Sequence, residues 1–201
     1  MRMPLLRNLK AILIAASVLL AAPGAAWAGE AAAWAALREG GHVAVVRHAS
    51  APGTGDPPGF RLADCATQRN LSPAGRHEAK AIGDAFRKHA VRVAGVYSSQ
   101  WCRCLETARL MGLGEVTPFP PLNSFFEAPE REPAQMAALR SWLAEQPLDG
   151  TVVLVTHQVV ITSLTGIFPA AGQIVVARTA DDGSLDVVGR IPPPVGQAAG
   201  R

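Results

Sequence analysis

The chain alternates between short apolar runs and amphipathic stretches. Residues 42–47 (HVAVVR) and 151–156 (TVVLVT) are β-branched and apolar on consecutive positions, the pattern of strands buried on both faces. Residues 93–97 read as a third short strand of the same kind. Between these runs the period becomes helical. Ser72-Pro73 supplies an N-cap followed by proline at the first helical position. The helix it opens runs to about Lys88, with Ala79, Ile82 and Phe86 on one face and Arg76, Lys80, Asp84 and Arg87 mostly on the other. Residues 30–38 form a short helix with Trp34 and Leu37 one turn apart, ended by Gly40-Gly41. Ser98-Ser99 is read as the cap of a helix over 100–112, and Pro133 opens one over 132–145 that aligns Met136, Leu139 and Leu143. A short helix starts at about Gln158. Residues 173–179 and 184–190 read as two late strands joined at Asp182-Gly183, and the Pro-rich tail from Ile191 as frayed. Two stretches lack periodicity: 113–131, rich in proline, and 49–70, rich in Gly, Pro and Asp. A structureless loop as long as the second is usually functional.

Strands alternating with helices predict an α/β fold of three layers, a mostly parallel central sheet with helices on both faces. Ligands of such sheets bind beyond the carboxyl ends of the strands. The first strand ends at Arg47-His48, the second at Ser98-Ser99 with Arg103 one turn further, and the third at Thr156-His157. Two arginines and two histidines therefore meet at one sheet edge. The arginine fork matches phosphate oxygens, and neutral imidazole is a nucleophile near pH 7. Phosphoryl transfer needs mainly charge stabilisation and in-line positioning, with an acid to protonate the leaving oxygen.

Charge and length narrow the setting. The formal net charge is +3, but Arg2, Arg7 and Lys10 lie ahead of an apolar run at 11–22 and the small-x-small triplet Ala26-Trp27-Ala28. Basic, apolar and small-residue regions in that order read as a secretory signal peptide over 1–28, with 29–201 a single domain. The alternative, an uncleaved anchor, is shortened by Pro23-Gly24 below the roughly 20 apolar residues that a span needs. Loss of 1–28 leaves 16 basic residues against 16 acidic ones, so nothing indicates a nucleic-acid surface. The predicted setting is exported and periplasmic, without stable membrane insertion after cleavage. The oligomeric state is not legible.

The motifs carry a family resemblance. Val46-Arg47-His48-Ala49 resembles the R-H-G/A signature of the histidine phosphatase superfamily, which includes phosphoglycerate mutases and histidine acid phosphatases. Leu71-Ser72-Pro73-x-Gly75-x-x-Glu78-Ala79, Ser98-Ser99-x-x-x-Arg103-x-x-Glu106-Thr107-Ala108 and Val153-Leu154-Val155-Thr156-His157 resemble three further segments of it, in the right order. The resemblance implies a phosphoglycerate mutase-like fold and a phosphomonoester hydrolase that works through a phosphohistidine on His48. Arg47, Arg103 and His157 would hold the phosphoryl oxygens, with no metal and no cofactor. The implied substrate is a small phosphorylated molecule or a phosphorylated envelope component. Glu127 is the first candidate for the proton donor, although it stands a few residues later than in relatives, and Asp56 in the long loop is the second.

Other readings accompany these. The same pocket without turnover would make a phosphate-ligand-binding protein. Mutase activity suits an exported protein poorly, and a metal carrier lacks paired ligand spacing. Arg103 could instead pair structurally with Glu106 or Glu127. His42, His77 and His89 are assigned no chemistry, Ser72, Ser98 and Ser99 are read as caps, and Trp34, Trp101 and Trp142 as packing. Cys102 and Cys104 diverge by about 200° around a helix. Cys65 could therefore bridge to either of them and tether the long loop, or all three thiols could be reduced.

Overall fold

A computed structural model describes residues 29–146 and 149–194. The predicted segment 1–28 and the end of the tail lie outside the described residues. Six strands form one sheet: β1 (Val43–Arg47), β2 (Val93–Ser98), β3 (Val116–Pro118), β4 (Thr151–Thr156), β5 (Ile174–Thr179) and β6 (Leu185–Ile191), in the order β3-β2-β4-β1-β5-β6. Pairing is parallel from β3 through β1, and β5 is antiparallel to both β1 and β6. Among the described residues five α-helices complete the three-layer α/β architecture: α1 (Glu30–Glu39), α2 (Pro73–Lys88), α3 (Cys102–Met111), α4 (Glu132–Ala144) and α5 (Gln158–Thr165).

Alternation along the strands divides the core in two. Ala44, Val46, Val153 and Val155 face α1, α2 and α3, where Leu37, Phe86 and Met111 pack against them. Val43, Val45, Val152 and Leu154 face α4 and α5, with Leu139, Leu143 and Ile161. The consecutive apolar residues of β1 and β4 are thus used on both faces, as central parallel strands require. β2 departs from that expectation. Among its residues only Val96 and Ser98 are buried, because β3 pairs with it only from Val96 onward. β3 itself lies in the stretch expected to be irregular; three residues are too few to leave an alternation in the sequence.

The predicted helical faces hold. Ala79, Ile82 and Phe86 are buried on α2, and Met136, Leu139 and Leu143 on α4. Ser72 caps α2 by accepting the Gly75 N–H at 2.9 Å. The cap expected for α3 is absent: Trp101 occupies the N-cap position and makes no side-chain cap bond. Asp182-Gly183 makes the β5–β6 turn, with Gly183 at φ 76°. Ile191 is not frayed but buried and paired with Ile174.

Close packing of α2 shapes the site. Gly83 lies so near the Met111 carbonyl of α3, and Gly75 so near the Ser50 carbonyl, that a methyl group at either position would overlap backbone. Ser50 follows β1, and its N–H donates to Glu78 Oε2 of α2 at 2.7 Å. The motif that opens α2 therefore clamps the loop immediately after His48.

Candidate active site

The carboxyl ends of β1, β2 and β4 open into a cavity of about 310 Å³, whose lining includes Arg47, His48, Asp56, Arg69, Arg103 and His157 together with Phe60, Trp101, Phe126 and Glu127. His48 ends the β1 backbone path, and its N–H donates to Thr156 O at 2.9 Å. Ala49 N–H donates to Thr107 Oγ1 of α3 at 3.1 Å, and that hydroxyl donates to Arg103 O at 2.7 Å. These bonds explain why a threonine stands four residues after the arginine: it ties the β1 loop to the helix carrying Arg103.

His48 is 3% exposed. Its Nδ1 lies 2.8 Å from the Ala49 carbonyl, which can only accept, so Nδ1 carries the proton and Nε2 keeps its lone pair. Burial pushes the imidazole pKa down to about 3, aided by the Arg103, Arg47 and Arg69 charges and opposed by the Ala49 bond. His157 is also buried, with its ring centroid 5.6 Å from that of His48. Arg103 Nη2 approaches His157 Nδ1 at 3.4 Å; a guanidinium only donates, so Nδ1 accepts and Nε2 carries the proton. Nε2 then donates to Ser99 Oγ at 2.8 Å, and Ser99 Oγ donates to Asn123 Oδ1 at 3.2 Å. Burial and then Arg103 hold His157 well below the usual imidazole pKa. Both imidazoles are therefore neutral at pH 7.

Arg47 Nη1 donates to Pro169 O at 2.7 Å, and its buried Nε has no partner. Burial and the Arg103 charge lower its pKa. Arg103 is 3% exposed and is paired with neither Glu106 nor Glu127. Its Nη1 donates to Asp56 at 2.9 and 3.1 Å, while its buried Nε is also unpartnered. Glu106 instead pairs with Arg76 of α2 at 2.6 Å.

The two candidate acids are placed differently. Burial works against ionisation of Asp56, but the Arg69 N–H, the Arg103 guanidinium and the Trp101 indole N–H hold its carboxyl below the usual range. The Trp101 bond is 3.0 Å and the Arg69 bond 2.9 Å. Asp56 is thus a fixed carboxylate with the geometry of a counter-ion, which corrects its reading as the second candidate donor. Glu127 is exposed on the cavity wall, and its Oε1 accepts the Asp56 N–H at 3.3 Å.

The long loop 49–70 lies over the cavity and is tied down by a disulfide between Cys65 and Cys102. Cys102, the first residue of α3, meets the loop, whereas Cys104 faces the core beside His157 and stays free and buried. Burial raises the Cys104 thiol to about 12, so it is inert at neutral pH. Gln68 adds a second tie, accepting the Cys102 N–H at 3.0 Å and donating to Leu62 O at 2.8 Å.

Arg69, Trp101, Ser99 and Asn123 were not among the predicted site residues. Ser99 is no cap in the ordinary sense; its hydroxyl orients His157. Trp101 is buried, yet its indole N–H belongs to the site. The available signal was position: Arg69 stands in the loop flagged as functional, and Ser99 and Trp101 adjoin Arg103. His89, assigned no chemistry, stacks on Trp34 at 4.4 Å.

Residues 43–127 match the model of the histidine phosphatase superfamily (branch 1). A comparison with curated proteins finds no match. Among solved structures, the protein histidine phosphatase SixA complexed with tungstate is 16% identical, with a TM-score of 0.55 over 76% of this chain and 97% of that one. A mycobacterial glucosyl-3-phosphoglycerate phosphatase is 18% identical, with a TM-score of 0.53 over 73% and 97%. Mycobacterial hydrolase 2 is 16% identical, with a TM-score of 0.55 over 78% and 93%. At these identities the likeness is one of fold. Over residues 43–127, which hold Arg47, His48, Arg103 and Glu127, the chain carries the sequence pattern of the histidine phosphatase superfamily (branch 1) on the fold of those structures.

Proposed function

We propose that the protein is a phosphatase that hydrolyses a phosphomonoester through a phosphohistidine on His48. The observation that carries this reading is the neutral His48 imidazole, its Nδ1 proton given to Ala49 O and its Nε2 lone pair left for attack. In the first step Nε2 forms a bond to phosphorus and the bond to the ester oxygen breaks; the leaving oxygen takes a proton from the Glu127 carboxyl. In the second step a water attacks phosphorus, its proton goes to the Glu127 carboxylate, and the P–N bond breaks to release phosphate. Arg47 and Arg103 supply charge-assisted hydrogen bonds to the phosphoryl oxygens; His157 joins them only when anion binding draws its Nε2 proton away from Ser99 or adds a proton at Nδ1. The arginines supply charge stabilisation without a metal ion in this scheme, and unchanged turnover in chelator tests that part.

The substrate class is a small phosphorylated molecule or a phosphorylated envelope component. Support comes from the fold shared with a glucosyl-3-phosphoglycerate phosphatase. Export to the periplasm after cleavage at Ala28 belongs to the same proposal. The Cys65–Cys102 disulfide supports it, since such bonds persist mainly in oxidising compartments. N-terminal sequencing of protein purified from a periplasmic fraction should begin at Gly29; recovery of full-length chain from the cytoplasm would remove this part.

The deciding experiment is acid–base quenching. Enzyme mixed with a phosphate ester and quenched should carry an acid-labile, base-stable phosphate on His48, and His48→Ala should neither be labelled nor turn over. Anion binding without labelling or turnover would leave only the non-catalytic reading.

A further inference from the structure

We infer that Arg69 is a third guanidinium of the phosphoryl-binding wall, delivered by the long loop rather than by a strand end; this rests on the phosphatase reading of the site. Arg69 lines the same cavity as Arg47 and Arg103. Its Nε donates to Gly55 O at 2.7 Å and its Nη1 donates to Ala51 O. Those two carbonyls fix one side of the fork, while Nη2 makes no hydrogen bond among the described residues.

The anchoring is built from several independent pieces. The Arg69 N–H donates to Asp56, the carboxylate that also binds Arg103. One residue away, Gln68 bonds the first turn of α3, and Cys65 is joined to Cys102 there. A half-buried arginine held this firmly among other arginines is repelled by them; burial and then the Arg103 charge lower its pKa, and its own charge depresses both His48 and His157. Such crowding of like charges is stabilised by an anion between them. The charges lining the cavity fit a dianion. Arg47, Arg69, Arg103 and Arg131 against Asp56 leave +3 with neutral histidines and the Glu127 carboxyl protonated as donor, and +2 once it has given up its proton, enough in either state to balance a phosphomonoester dianion.

The test is calorimetric titration of the intact, disulfide-bonded protein with tungstate and with inorganic phosphate, so that turnover is not the readout. Arg69→Ala should weaken both anions by about tenfold or more, the scale of one charge-assisted hydrogen bond. Arg69→Lys should recover affinity to within a few-fold of wild type, because it keeps the charge. A residue that served only to brace the loop would behave otherwise, since lysine cannot reproduce the fork to Gly55 and Ala51. Equal affinities in wild type and Arg69→Ala would overturn the inference, as would a loss that lysine fails to restore. If wild-type protein bound neither anion, the phosphatase reading would fall first and this inference with it; the wild-type titration therefore separates the two failures.

Discussion

At the scale of single residues, two buried neutral histidines set the pH behaviour. Both have folded-state pKa values below the ordinary 6.5 of the unfolded chain, His48 at about 3. The fold holds them neutral, each with one ring proton, so the stability from this source is complete above about pH 6.5 and is lost as pH falls toward 3. Urea midpoints measured between pH 7 and pH 4 should drop, and His48→Gln should shrink the drop; a flat profile would contradict the assignment. Under the proposed mechanism the same depression leaves the His48 lone pair free for attack in mild acid. The acid limb of kcat/KM, corrected for substrate ionisation, should therefore fall below the ordinary imidazole value. Glu127 is tested by leaving-group dependence. Glu127→Gln should slow alkyl phosphates most and nearly spare an activated aryl phosphate, which needs little protonation. A uniform loss would assign Glu127 to structure.

At the scale of elements, the site depends on how α2 and α3 hold the loops. Gly83 permits contact between α2 and the end of α3, and a methyl group there meets the Met111 carbonyl. Gly83→Ala should cost about 1–3 kcal/mol, the range for overpacking, read as a lower denaturant midpoint. The Cys65–Cys102 bridge spans a sequence separation of 37. Its loss in a Cys65→Ser/Cys102→Ser double variant should cost about 4 kcal/mol in the chain-entropy model. It should also weaken phosphate binding, because the loop it tethers carries Asp56 and Arg69. A double variant as stable as wild type would show that Gln68 and Asp56 hold the loop unaided.

At the scale of the whole molecule, the sheet order makes folding depend on distant segments. β4 lies between β1 and β2, although both precede it by more than fifty residues, and β5 covers the other side of β1. A chain ending after α3 contains β1 and β2 but lacks the strand that joins them. Residues 29–112 alone should therefore be unfolded by circular dichroism, and a cooperative thermal transition in that fragment would refute the argument. The same topology assembles the site, since His157 comes from β4 and His48 and Arg103 from elements far earlier in the chain.

The sequence alone determined the elements with strong local signals and the residues at their ends. The apolar runs of β1 and β4, the capped amphipathic α2 and the periodic α4 follow from burial that leaves a trace at consecutive residues in the strands and at every third and fourth residue in the helices. Because strand ends in an α/β sheet share one edge, Arg47, His48, Arg103 and His157 could be grouped before any coordinates. Short or non-periodic features were not legible. β3 is three residues long, and the partial exposure of β2 depends on what pairs beside it. Tertiary structure alone decided that Cys65 meets Cys102 and not Cys104, that Asp56 is a counter-ion to Arg103, that Ser99 orients His157 and that Arg69 joins the arginines. Each of these is a contact across a loop without a repeat, and a loop's path is set by ties to distant elements that no local pattern records.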